Sequence, residues 1–127
     1  MPAPKPTESE IAILSILWRR GPSTVRHVLG EMPQKTGYTT VLKLLQIMTE
    51  KGLVVRNENQ RSHVYRAAEA ESRTLRQITG DLLDRAFGGS ASKLLVAALS
   101  AQHASPEELQ EMRRLIETAL KNERTKP

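Results

Sequence analysis

Tyr38, Thr39 and Thr40 put three hydroxyls on the first turn of the segment GYTTVLKLLQIMTEKGLV, and Lys43 adds a cation one turn later. The segment otherwise reads as an amphipathic helix, with Val41, Leu44, Leu45 and Met48 at i, i+3, i+4 and i+7. Threonine is a mediocre helix former, so propensity does not account for its use there. Hydroxyls beside the unpaired amides of a helix start suit phosphate oxygens, and the helix dipole favours negative charge at that end. A lysine can reach a phosphate or a guanine edge, and an apolar side chain such as Leu42 can touch a thymine methyl. A plain helix cap with a solvated face would explain the threonines. It would leave Leu42, read as lying away from the buried stripe, without a role.

The rest of the sequence offers no competing chemistry. It has no Gly-rich phosphate loop, no nucleophile with a matched base and no clustered acid pair, so an enzyme is not expected. Asp81 and Asp84 share a segment with Arg85 and read as an exposed ion-pair face. There is no cysteine, and His27, His63 and His103 are scattered, so neither a metal site nor a cofactor is expected. The N-terminal MPAPKPTESE has no apolar stretch, and no run approaches the roughly 20 residues of a membrane span. A soluble, cytoplasmic protein without membrane insertion is the expectation.

Charge divides the 127 residues unevenly. Up to Ala68 there are ten Lys and Arg against five Glu; from Glu69 onward nine bases meet nine acids. The whole net charge of +5 therefore lies in the first half. That asymmetry suggests one half that touches a polyanion and another that does something else.

The elements that must position these residues follow from period and punctuation. Thr7 with Glu10 forms a capping-box pattern, and a first helix runs to about Arg20 with Ile11, Leu14, Leu17 and Trp18 as its main stripe, widened by Ile13 and Ile16. GPS breaks it, and Ser23 is expected to cap a second helix carrying Val25, Val28, Leu29 and Met32, ended by Pro33. The third helix stops at Lys51 and Gly52. The period then changes: Leu53–Arg56 and His63–Arg66 read as strands with NENQRS as the hairpin tip. Three helices followed by a basic hairpin is the order of a winged helix-turn-helix domain, whose third helix would enter the major groove of DNA.

The second half returns to helix. Glu69–Phe87 carries Leu75, Ile78, Leu82 and Ala86; GGS interrupts; SKLLVAALSAQ, with Leu94 and Leu95, is short and apolar; SPEE then starts a last helix with Leu109, Met112, Ile116 and Ala119 at heptad-like spacing. These helices lack an evident closed core. A second copy of the chain would supply the missing surface, and folding back onto the first half is the alternative. The fold class expected is mainly α with a small β-hairpin: a winged helix-turn-helix domain at 1–68 and a helical dimerisation domain at 69–127.

The segments ILSILWRRGPSTVRHVLGEM, YTTVLKLLQIMTEKGLV and VYRA resemble the BlaI/MecI/CopY family of bacterial repressors, and LLDRAFGGS and SPEELQEMRRLI resemble its second half. The resemblance covers nearly the whole chain after the proline arm. It implies a transcriptional repressor that binds a palindromic double-stranded DNA operator as a homodimer, often on TACA and TGTA half-sites. By position it implies a recognition helix Thr39–Lys51 led by Thr39, Thr40, Leu42 and Lys43. It also implies Thr24 and Arg26 as phosphate contacts, and Gln60, Arg61 and His63 along the backbone at the wing. Some relatives carry bulkier basic residues where this chain has Thr39 and Leu42. Copper-sensing relatives have a cysteine-rich tail, which is absent here. Antibiotic-responsive relatives are cut in the dimerisation domain once a membrane sensor-protease fires; the matching bond here is Ala97–Ala98 in LLVAAL. Two other readings remain beside this one: a winged-helix regulator controlled by a small ligand, and a protein-interaction module without sequence readout.

Overall fold

The structure, a computed structural model, describes residues 5–33, 35–59 and 61–126. Helix α1 (Glu8–Arg20) starts on the predicted capping box: the Thr7 hydroxyl accepts the Glu10 N–H at 3.2 Å, and the Glu10 carboxylate accepts the Thr7 N–H at 2.8 Å. Helix α2 (Val25–Gly30) is capped by Thr24 rather than by Ser23. Its capping box is completed by a histidine: the Thr24 hydroxyl accepts the His27 N–H at 3.2 Å, while His27 Nδ1 accepts the Thr24 N–H at 3.3 Å. Ser23 is buried and has another task. It exchanges two backbone hydrogen bonds with Tyr65, at 2.9 and 2.8 Å, and its hydroxyl donates to the Gly21 carbonyl.

Helix α3 (Tyr38–Lys51) ends at Gly52, whose φ of 80° is the left-handed conformation that favours glycine, and the Leu53 N–H then closes on the Met48 carbonyl at 2.9 Å. Strands β1 (Val54–Asn57) and β2 (Val64–Ala67) each begin one residue later than predicted. They pair antiparallel, with Val54 opposite Ala67 and Asn57 opposite Val64. The Ser23–Tyr65 bridge adds a one-residue third rung beyond β2.

The core gathers Ile13, Leu14, Ile16 and Leu17 from α1, Val25 and Val28 from α2, Val41, Leu45 and Met48 from α3, with Leu53, Val54 and Tyr65 from the hairpin. The buried face of α1 is thus centred on Ile13 and Ile16 as much as on Leu14 and Leu17; Ile11 and Trp18 flank it. Burying one such side chain is worth about 1.5–3 kcal/mol. That shared core holds helices of 6 to 14 residues, a length that is marginal in isolation.

Three further helices follow: α4 (Glu71–Ala86), α5 (Ala91–Ala101) and α6 (Pro106–Arg124). The chain divides into two compact units, Met1–Gly80 and Asp81–Pro127, so the division falls within α4. In the first unit Trp18 Nε1 donates to the Glu69 carbonyl at 3.0 Å, and Thr74 is buried. In the second, Gly88 and Gly89, at φ 57° and 78°, turn the chain after α4. Ser90 caps α5, and Ser105 with Pro106 starts α6 as predicted. Among the described residues no helix is long and apolar enough to cross a membrane.

Candidate nucleic-acid interface

Thr7, Thr24, Ser90 and Ser105 each accept a first-turn amide of their helix, but the residue before α3 is Gly37, which makes no side-chain cap. The opening amides of α3 therefore have no side-chain acceptor, and Tyr38, Thr39 and Thr40 stand exposed around them. Opposite the buried Val41, Leu45 and Met48, the helical period puts Thr39, Lys43 and Gln46 on one exposed face. Gln46 was not singled out from the sequence. Its spacing of i+7 from Thr39 and i+3 from Lys43 was the available signal, masked by reading only the first turn.

Leu42 departs from expectation. It is half-buried, packs against the core and lies at the flank of the buried stripe, not opposite it. At 100° per residue it points toward the same side as Tyr38.

That side faces a cleft of about 280 Å³ lined by Thr24, Val25, Arg26, Tyr38, Leu42, Arg61, Ser62, His63 and Tyr65. Three segments distant in sequence meet there: the start of α2, the start of α3 and the approach to β2. The cleft brings together six of the residues proposed from the sequence for DNA contact, namely Thr24, Arg26, Tyr38, Leu42, Arg61 and His63. Thr39, Thr40 and Lys43 are exposed on α3 outside it, and Gln60 lies outside the described residues.

Among the described residues no carboxylate lines the cleft. Arg26 has its guanidinium 5.2 Å from the centre of the Tyr38 ring. Other cations of this unit are neutralised: Arg19 and Arg20 pair with Glu31, Lys51 with Glu10, and Arg56 with Glu58. Among the described residues Arg26, Lys43 and Arg61 form no ion pair, nor do Lys35 and Arg66. Arg56 is engaged within the hairpin, by Glu58 and by the Tyr65 hydroxyl. The Tyr65 hydroxyl bond, outweighing partial burial, and the neighbouring Glu58 raise its pKa above the ordinary arginine value.

The far end of α3 is fixed by a contact that no local spacing announces. Lys51 Nζ donates to both oxygens of the buried Glu10, at 2.9 and 3.0 Å. Burial alone would raise the Glu10 carboxyl; the Lys51 ammonium and the Thr7 N–H outweigh it and hold the pKa below 4.5. Helix α3 is thus tied at its C-terminus to the start of α1, and its N-terminus has no side-chain cap.

The residues read as a dimer surface lie along α4, α5 and α6. Leu75, Leu82, Leu109, Ile116 and Ala119 are exposed, while Ile78, Leu94, Leu95 and Met112 are half-buried. Ala97 and Ala98 sit in the middle of α5.

A family model described as penicillinase repressor matches residues 6–118. The penicillinase repressor of Bacillus licheniformis is 20% identical over 116 residues, covering 90% of this chain and 91% of that protein. Among solved structures, a MarR family protein from Bacillus stearothermophilus aligns with a TM-score of 0.53 at 22% identity, over 94% of this chain and 76% of the other. At that identity the likeness speaks for the fold, which is mainly helical with one antiparallel hairpin.

Proposed function

Because the chain belongs to the penicillinase repressor family, and is therefore a DNA-binding transcriptional repressor rather than an enzyme, we propose that it represses by covering a palindromic operator as a homodimer in the cytoplasm. The observation that carries the reading is the cleft, where Arg26, Arg61 and His63 meet the Thr24 and Tyr38 side chains with no acid among them. In this reading the exposed face of Thr39, Lys43 and Gln46 enters the major groove. Lys43 reaches a phosphate or a guanine, and Gln46 has the paired donor and acceptor that suit an adenine edge. Thr24, Arg26, Arg61 and His63 hold phosphates, aided by the uncapped amides of α3, and the Tyr38 ring lies against Arg26. Leu42 packs where the groove wall meets the protein, and Thr40 and Gln60 extend the backbone contacts.

Residues 1–68 act as the DNA-binding domain and 69–127 as the dimerisation domain in this proposal. Joining two half-site binders makes the second contact intramolecular, which is worth about 10²–10⁴ in avidity. A membrane sensor-protease that cuts Ala97–Ala98 would remove that gain. The bond lies within a helix, so α5 must open locally before a protease can take it as an extended strand.

The test is binding of the purified protein to its own upstream DNA and to a scrambled duplex, titrated in salt. A preference of about 10³ or more is expected, with a salt slope near −0.9 per phosphate contact. Equal affinity for both duplexes overturns the operator reading.

A further inference from the structure

Arg26 and Tyr38 line the same cleft, twelve residues apart in sequence, with the guanidinium lying 5.2 Å from the ring centre. Arg26 is exposed on a six-residue helix and has no ion-pair partner among the described residues. Tyr38 is 42% exposed, and no hydrogen bond of its hydroxyl is found among the described residues. Stacking a guanidinium on an aromatic ring uses its flat face and leaves the N–H groups in its plane available for bidentate contact with a phosphate.

We propose that Tyr38 is a positioning residue whose ring, rather than its hydroxyl, holds Arg26 ready for one phosphate of the DNA backbone. The inference rests on the DNA-binding reading and assigns the division of labour within that site. Pre-ordering a side chain reduces what is lost when it is immobilised on binding, so removing the ring weakens the arginine contact without touching the arginine. A tyrosine that acted through its hydroxyl would instead lose equally as phenylalanine and as leucine, since both lack it.

The experiment measures affinity and salt slope for the dimeric full chain and its variants on the upstream duplex, each first checked for an unchanged unfolding transition. Arg26→Ala is expected to weaken binding similarly on all sequences and reduce the magnitude of the salt slope by about one phosphate. Tyr38→Phe is expected to bind like the parent. Tyr38→Leu is expected to lose about two- to fivefold. The Arg26→Ala, Tyr38→Leu double variant is expected to be no weaker than Arg26→Ala alone, since the tyrosine has nothing left to position. Equal losses for Tyr38→Phe and Tyr38→Leu, additive losses in the double variant, or no loss in Tyr38→Leu would each overturn the proposal. Because these readouts concern a phosphate contact, they work on the scrambled duplex too; failure to prefer the operator would sink the wider reading and leave this comparison intact.

Discussion

Between α1 and β2 the described chain buries twelve apolar side chains; from Asp81 onward it buries none. The contrast does not come from poorer local signals. Helix α6 has a serine cap, a proline in its first turn, acids at its start, bases at its end and ion pairs of Arg113 with Glu117 and Arg114 with Glu111. What it lacks is anything to cover Leu109, Leu115, Ile116 and Leu120, which are 44 to 57% exposed. Caps and i,i+4 pairs contribute tenths of a kcal/mol to about 1 kcal/mol each, whereas burying a leucine contributes about 1.5–3 kcal/mol. The first unit is stabilised by its own interior. The helices of the second are specified locally and still need a surface, which is why a second copy of the chain is the proposed partner.

The largest test of this contrast is to make the uncovered stripe charged. Ile116→Glu with Leu120→Glu is expected to leave the unfolding of the first unit in place, convert the protein to a monomer in sedimentation, and weaken operator binding by about 10²–10⁴. An unchanged dimer would mean that the stripe is not the interface. Next in size, Leu45→Ala in the core of the first unit is expected to cost about 2–5 kcal/mol in urea unfolding, without altering the self-association proposed for the second unit. Equal sensitivity of both properties to either change would erase the distinction between the two regions.

A smaller effect separates the closed end of α3 from its open end. Glu10→Gln is expected to cost about 1–3 kcal/mol, because Lys51 loses its charged partner across a largely buried contact. The sign with pH follows from a carboxyl whose folded pKa is lowered. The unfolded state takes up the proton first, so this contribution is complete above the ordinary carboxylate range and fades as pH falls through 4.5 toward the lower folded value. Denaturation followed from neutral to acid pH should show the parent losing part of its stability there, and Glu10→Gln losing less. Parallel curves would remove Glu10 from the account.

The order of elements was legible because the hydrophobic period switches from helical to alternating after Gly52 and back again after the hairpin. Capping of α1 and α6 was legible because both signals lie within four residues. Ser23 and Thr24 were not separable in sequence, since either can cap a helix; the backbone pairing of Ser23 with Tyr65, 42 residues away, decided between them. Leu42 was misread as outward because its place on the helix flank matters only once the hairpin closes beside it. The pairings of Lys51 with Glu10 and Arg26 with Tyr38 have no local spacing to reveal them.

The Ser23–Tyr65 bridge also bears on synthesis. Its partners must both have left the ribosome before the turn preceding α2 is joined to the hairpin, and Tyr65 is itself part of the core. A chain emerges from its N-terminus, so the three helices are available well before the cleft can be completed. Closing a separation of 42 residues costs more chain entropy than the contacts within the helices. A nascent chain stopped in the NENQRS loop would carry all of α3 yet lack the wall formed by Ser62, His63 and Tyr65. The cleft would thus be completed only once the hairpin, about halfway along the chain, has emerged.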